Sequence, residues 1–160
     1  MDKLLQLLST NSGFTTAELA TMLGEPEDYI KAQIKEYETK GIIKGYQAVV
    51  NWDEVENSYV EALIELKVSP KKETGFDEMA QKCMDFEEVE SVYLMAGGYD
   101  LALIVRGENI QSVAMFVAKK LSTMDGVLAT ATHFMLRRYK DRGMCLTDFE
   151  CNKDGRSLIL

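Results

Sequence analysis

The chain has 160 residues, 46% hydrophobic and 28% charged, a globular composition that excludes wholesale disorder and fits one ordinary domain or two small ones. Lys and Arg number 18 against 26 Asp and Glu, a net charge of -8, so no broad basic field exists to hold nucleic acid non-specifically. Any DNA contact must be local and reinforced by symmetry. Met1-Asp2-Lys3 has no basic leader, and the longest candidate apolar stretch, Leu101 to Val105, is far too short to cross a bilayer; a soluble, cytoplasmic chain is expected. Cys83, Cys145 and Cys151 sit at no metal-ligand spacing and are expected as reduced thiols. With His133 the sole histidine, no metal or other cofactor is indicated.

The first fifty residues read as helices. Leu4, Leu5, Leu7 and Leu8 share a helical face that opens at Asp2 and runs out near Ser9. Asn11-Ser12-Gly13 breaks it, and Thr15 or Thr16 can cap a second helix that turns Leu19, Ala20 and Leu23 inward and stops at Gly24. Pro26 suits the first position of a third helix, from about Glu27 to Lys40, with Ile30, Ala32, Ile34 and Tyr37 spaced by threes and fours. Gly41 closes it, and Ile42, Ile43, Tyr46 and Val49 are expected to form a strand. That is the pattern of a winged helix-turn-helix. Residues 1–50 carry five lysines, no arginine and seven carboxylates. Lys31, Gln33, Lys35 and Lys44 therefore remain as candidate DNA contacts, with Tyr29 as a stacking or apolar contact. The alternative for the third helix is a solvated charged face on a structural bundle.

Residues 51–57 are acidic and polar and mark the boundary, with Trp52 expected to pack across the junction. From Ser58 the period becomes two: Val60, Ala62, Ile64, Leu66 and Val68 alternate with Glu61, Leu63, Glu65 and Lys67, and Pro70 ends the strand. A helix from roughly Thr74 to Met84 follows, then a strand from Glu87 to Met95, a Gly97-Gly98-Tyr99 turn and a strand from Asp100 to Arg106. Asn109 caps a helix carrying Ile110, Val113, Ala114, Phe116, Val117 and Leu121 on one face, and a long last strand is expected over Val127 to Arg138. The order β-α-β-β-α-β is a ferredoxin-like split unit over 58–140. Such a sheet has helices on one face only, so a second copy of the chain is the simplest cover for the other. The tail, 141–160, is read as a hairpin between Thr147–Cys151 and Ser157–Leu160. Arg137, Arg138, Lys140 and Arg142 form a basic cluster that reaches phosphate or, in the plainer reading, pairs with local acids.

Four segments in register carry a family resemblance: Leu19-Ala-Thr-Met-Leu-Gly24, Lys40-Gly41-Ile42-Ile43-Lys44-Gly45-Tyr46, Gly97-Gly98-Tyr99-Asp100-Leu101, and Gly126-Val127 with Thr130-Ala131-Thr132. Together they resemble the Lrp/AsnC, or feast/famine, transcription regulators over residues 2 to about 140. The departures are Glu25-Pro26 before the recognition helix, where the family usually has a serine, and lysines in place of arginines on it. The resemblance implies an α+β protein with an N-terminal winged helix-turn-helix and a C-terminal effector-sensing domain. Double-stranded DNA and a small effector, typically an amino acid, are the implied partners, with self-association as a dimer and possibly an octamer.

Carried onto this chain, the effector site comprises Met95, Gly97, Gly98, Tyr99 and Asp100 with Thr130 and Thr132. Gly97 and Gly98 would admit a carboxylate to backbone amides, Asp100 would meet an α-ammonium, and the threonines would supply hydroxyls. A tight turn and a turn-capping carboxylate are the plain alternatives for the glycines and Asp100. His133 alternates to the opposite face from the threonines and is expected to be packed. Two competing functions stay open: an amino-acid-sensing assembly that has lost DNA, which the acidic recognition helix favours, and, less convincingly, an enzyme similar to haem-pathway decarboxylases. No Ser/His/Asp set, P-loop or paired-carboxylate site supports an enzyme.

Overall fold

The computed structural model describes residues 2–56, 59–69 and 75–147, which fall into two compact units: Met1–Val50 with Tyr139–Leu160, and Asn51–Arg138. The first unit is built on α1 (Lys3–Thr10), α2 (Thr16–Leu23) and α3 (Glu27–Thr39). Each helix begins for a chemical reason. Asp2 accepts the Leu5 N–H at 3.0 Å, and Thr15 and Glu18 close a reciprocal capping box, Glu18 N–H to the Thr15 hydroxyl and Thr15 N–H to the Glu18 carboxylate at 2.7 Å. Gly24 ends α2 in the left-handed conformation, φ 70°. Pro26 stands one position before the first helical residue rather than on it: it is the extended N-cap of α3, ψ 141°. Leu4, Leu19, Ala20 and Ile30 form the buried centre, ringed by Leu7, Leu8, Phe14, Leu23, Ile34 and Tyr37.

The strand expected through Ile42 to Val49 is not formed. The Ile42 and Ile43 N–H groups both turn back to the Tyr37 carbonyl, at 2.9 and 3.2 Å, wrapping the end of α3. A strand needs a partner, and among the described residues no other segment pairs with 42–50. The helix-turn-helix is present, the strand wing is not. Beyond Tyr139 a small hairpin, β5 (Lys140–Asp141) and β6 (Met144–Cys145), turns through Arg142 and Gly143, both at positive φ, 44° and 87°. The Arg142 guanidinium donates to the Gln47 side-chain oxygen at 2.8 Å. The terminal hairpin expected further on lies outside the described residues.

The second unit opens with a helical turn, Trp52–Glu54, whose Trp52 ring meets Tyr59 at 5.1 Å. Then come β1 (Val60–Val68), α4 (Asp77–Met84), β2 (Val89–Leu94), β3 (Leu101–Gly107), α5 (Ile110–Phe116), which continues as a π-helical turn to Leu121, and β4 (Val127–Phe134). The sheet order is β2-β3-β1-β4 with every neighbouring pair antiparallel. Asn109 caps α5 through the Ser112 N–H at 2.8 Å. The helix expected from about Thr74 opens at Asp77, with Phe76 at its N-cap and Thr74 itself outside the described residues.

The last strand is shorter than its hydrophobic run, ending at Phe134 rather than Arg138. Only the Met135 N–H continues the pairing, to the Glu61 carbonyl at 2.9 Å, because the antiparallel β1 begins there, at Val60. Ala62, Ile64, Leu66 and Val68 of β1 and Leu101, Leu103 and Val105 of β3 point to the helices and bury against Met79, Cys83, Val113, Phe116 and Leu121. Each fully buried Leu or Ile there contributes about 1.5–3 kcal/mol of apolar transfer. Leu63, Glu65 and Lys67, with Ala102 and Ile104, lie on the face that no helix of this unit covers.

Two cysteine environments differ. Cys83 is a fully buried free thiol. Cys145 is disulfide-bonded, which corrects the expectation of three reduced thiols. Among the described residues no helix is long and apolar enough to cross a membrane, and no cluster of His, Cys, Asp or Glu has the makings of a metal site.

Candidate functional site

Two candidate surfaces arise, one on each unit. On the first, α2 and α3 are joined by the three residues Gly24–Pro26, the short turn of a DNA-reading helix pair. Burying Ile30, Ile34 and Tyr37 inward fixes what α3 presents outward. Tyr29 and Gln33 form one stripe, four residues apart; Lys31 and Lys35 form another. Tyr29 is 50% exposed. The Gln33 amide donates to Glu36 at 3.3 Å, and Lys31 pairs with Glu27 at 2.9 Å. Lys35 and Lys44 are exposed, and Lys44 folds its ammonium over Gly41. The five candidate DNA contacts thus do not share one face. Glu27 and Asp28 occupy the first turn of α3, as read from the sequence. The Thr16 hydroxyl, and after it Lys31, holds the Glu27 carboxyl below the usual carboxylate range.

On the second unit the connection between β2 and β3 carries Met95, Gly97, Gly98, Tyr99 and Asp100. Met95 is 51% exposed and its N–H pairs with the Asp100 carbonyl at 2.8 Å. Both Asp100 oxygens are engaged inside the unit: one accepts the Val68 N–H at 2.9 Å, the other the Lys67 ammonium at 3.2 Å. The Asp100 N–H donates to the Leu66 carbonyl, so this residue also ties the turn to the end of β1. The Val68 N–H, above all, holds the Asp100 carboxyl below its ordinary value. Neither Gly97 nor Gly98 has a positive φ, and a Cβ at either would meet nothing within 4 Å. Neither backbone strain nor internal packing demands glycine there. What glycine provides at those two positions is access to the main chain from outside.

Thr130 and Thr132 do not join this turn. They pair with Leu66 and Ile64, so they lie on the helix side of β4, whereas Asp100 reaches Lys67 on the helix-free side. Thr130 instead meets the Ser122 hydroxyl at 3.5 Å. His133 is on the opposite face from the threonines, as expected, but it is exposed rather than packed and contacts Glu65 at 3.1 Å.

One polar cluster is invisible to sequence reasoning. Glu61 is only 8% exposed and is held by Arg106 at 3.0 Å and by Arg138. Arg106 also reaches Glu90 at 2.8 Å and lies over the Tyr59 ring, 4.0 Å from its centroid. Alternation assigns Glu61 to solvent; nothing in the local pattern reveals that two guanidiniums from 45 and 77 positions away converge on it. Two residues of the basic cluster near the tail are thus engaged by groups distant in the chain, Arg138 by the Glu61 carboxylate and Arg142 by the Gln47 side-chain oxygen.

A helix-turn-helix unit followed by a four-stranded antiparallel sheet with both helices on one face defines a class, a DNA-reading head joined to a ligand-binding-type sensor. Residues 61–145 match the Lrp/AsnC ligand binding domain. The HTH-type transcriptional regulator YugG of Bacillus subtilis is 40% identical over 159 residues, 99% of this chain and 94% of that one. The proline dehydrogenase transcriptional activator of Rhizobium radiobacter is 25% identical over 142 residues, covering 89% and 90%. The chain belongs to the Lrp/AsnC family. Its fold is shared with a transcriptional regulator of Neisseria meningitidis solved with L-methionine, TM-score 0.70 at 24% identity over 87% of this chain and 89% of that one. It is shared equally with the feast or famine regulatory protein of Mycobacterium tuberculosis complexed with L-methionine, TM-score 0.70 at 23% identity over 90% and 95%.

Proposed function

We propose that the chain is a transcription regulator that binds double-stranded DNA through α2 and α3, and whose assembly and DNA binding respond to a small effector, an amino acid. The α2–α3 pair carries this reading: two helices around a three-residue turn, the first closed by a capping box and the second presenting Lys35 to solvent with no ion pair among the described residues. Relatives named as HTH-type regulators support it. Tyr29, Gln33, Lys35 and Lys44 are the contact residues, Lys35 and Lys44 chiefly to phosphate, while Lys31, the fifth candidate, is engaged by Glu27. The open Gly97-Gly98 main chain supports an effector site at the 95–100 turn, where a carboxylate would accept from backbone N–H groups. Met95 and Tyr99 shape it. Asp100, already holding Val68 and Lys67, positions the turn and meets an ammonium with its remaining lone pairs. Thr130 and Thr132 of the same chain face away, so their role would require a second copy. The L-methionine complexes of the two solved proteins favour an amino acid over other small acids.

We assign residues 1–50 to DNA reading, 51–57 to the linker, 58–140 to sensing and self-association and 141–160 to the tail. A cytoplasmic dimer or octamer without catalytic activity completes the reading. The test is a salt titration of binding to the DNA upstream of the protein's own gene, with and without each amino acid. Saturable binding that weakens steeply with salt and shifts with one amino acid supports the reading. Lys35→Ala should flatten the log–log salt slope by about 0.9 for each phosphate that Lys35 neutralises. No binding at low salt, in a protein whose melting still rises with an amino acid, would favour a sensor that has lost its DNA.

A further inference from the structure

Glu27 has an unusual position in the helix pair. It opens α3, yet its Oε1 engages both helices: it accepts from the Thr16 hydroxyl on the first turn of α2 at 2.6 Å and takes the Lys31 ammonium, one turn along α3, at 2.9 Å. The same carboxylate therefore fixes the entry of the two helices and neutralises one of the two lysines on the α3 stripe. Lys35, four residues further, has no such partner within the ion pairs of this helix.

We propose that Glu27 is a positioning residue that restrains DNA affinity by holding Lys31 off the phosphate backbone. The inference rests on the DNA-binding reading above. Its physical basis is counterion release: a lysine adds to affinity and salt dependence when it displaces cations condensed on DNA. Lys31 reaches a phosphate only by exchanging one anion for another, which cancels most of that gain. The carboxylate left behind then stands at the end of the helix that approaches the DNA, where it repels phosphate. Glu27→Gln separates the two roles of the side chain. The amide oxygen still accepts from Thr16, so the tie between helices persists, while the charge on Lys31 is released. Thr16→Val does the converse, cutting the tie and leaving the ion pair.

The experiment measures binding of the full chain to two duplexes, one from upstream of its own gene and one of scrambled sequence, over a series of salt concentrations. The proteins are wild type, Glu27→Gln, Lys31→Ala, the double variant and Thr16→Val, each checked by thermal melting. Glu27→Gln should steepen the log–log slope by about 0.9 per protomer on both duplexes, so that a fourfold rise in salt weakens it about 3.5-fold more than wild type. Lys31→Ala alone should leave the slope near the wild-type value, and in the double variant it should abolish the steepening. Thr16→Val should melt lower without changing the slope. An unchanged slope in folded Glu27→Gln, or a steepening that survives in the double variant, overturns the proposal. Lys31→Ala alone costing about 0.9 in slope would overturn it equally, and that surface variant needs no change in the helix tie. Failure of wild type and Glu27→Gln alike to bind either duplex at low salt would instead overturn the DNA-binding reading.

Discussion

Asp100 shows how a side chain can have the right chemistry and a different primary task. Its carboxylate is fixed by the Val68 N–H and the Lys67 ammonium before any ligand arrives. Its folded pKa lies below the ordinary carboxylate value, so the stabilisation is present at neutral pH and lost as pH falls through the folded value. Asp100→Asn should therefore melt below wild type at neutral pH, and the gap should begin to close below about pH 4, where the unfolded carboxyl protonates first, and vanish once the folded carboxyl is protonated as well; a gap independent of pH would show that the charge is irrelevant. Cys83 makes the opposite case, a reactive group made inert. Burial alone pushes its thiol up to about 11. It should resist a thiol reagent at pH 8 in the folded protein and react at once in denaturant, and fast native reaction would contradict its burial. The spacing of its helix already turns Cys83 inward; the partners of Asp100 were not legible in the sequence, because Val68 and Lys67 stand 32 and 33 residues away on another strand.

At the scale of elements, local chemistry was readable wherever it stayed local. The Thr15–Glu18 box lies within four residues, and the sequence shows both halves of it. Thr15→Ala should cost about 1 kcal/mol of stability, seen as a lower denaturant midpoint with unchanged slope. Asp2 and Tyr37 are different, 35 residues apart and joined at 2.6 Å. That bond pushes the Tyr37 hydroxyl up to about 12, so its contribution holds below the unfolded tyrosine value and fades as pH rises towards 12. The expected strand over Ile42 to Val49 failed for a related reason: β-branched and aromatic side chains state a preference, while a strand exists only where a partner offers its edge. The expected end of β4 erred likewise, since Met135 to Arg138 are apolar and basic enough to continue but have outrun β1.

For the whole molecule the decisive feature is the sheet of the second unit, of which the unit's own helices cover one face only. Leu63 and Ile104 are half-buried neighbours on its helix-free face, flanked by the Glu65–His133 and Lys67–Asp100 pairs. If a second copy covers this face, Leu63→Asp should lower the sedimentation coefficient of the assembly while far-UV circular dichroism stays native; an unchanged coefficient would remove this face from the interface. An effector that binds the folded state alone should raise stability by about 2.7 kcal/mol at a hundredfold excess over its Kd, in a melting scan across the amino acids.

Sequence by itself determined the three helices and the β-α-β-β-α-β order that follows them, the break at Gly24, the alternation of β1 and the family. Each is written in residues close in the chain, where the period of a helix or strand and the side-chain chemistry of its ends act directly. Tertiary structure alone decided that Glu61 is buried between two arginines, that Thr130 and Thr132 turn away from the Asp100 turn, and that the Glu27 carboxylate, four residues before Lys31, is also tied to Thr16 of the other helix. Charge pairing and strand register join residues far apart in sequence. They take effect only when folding brings those residues within a few ångströms.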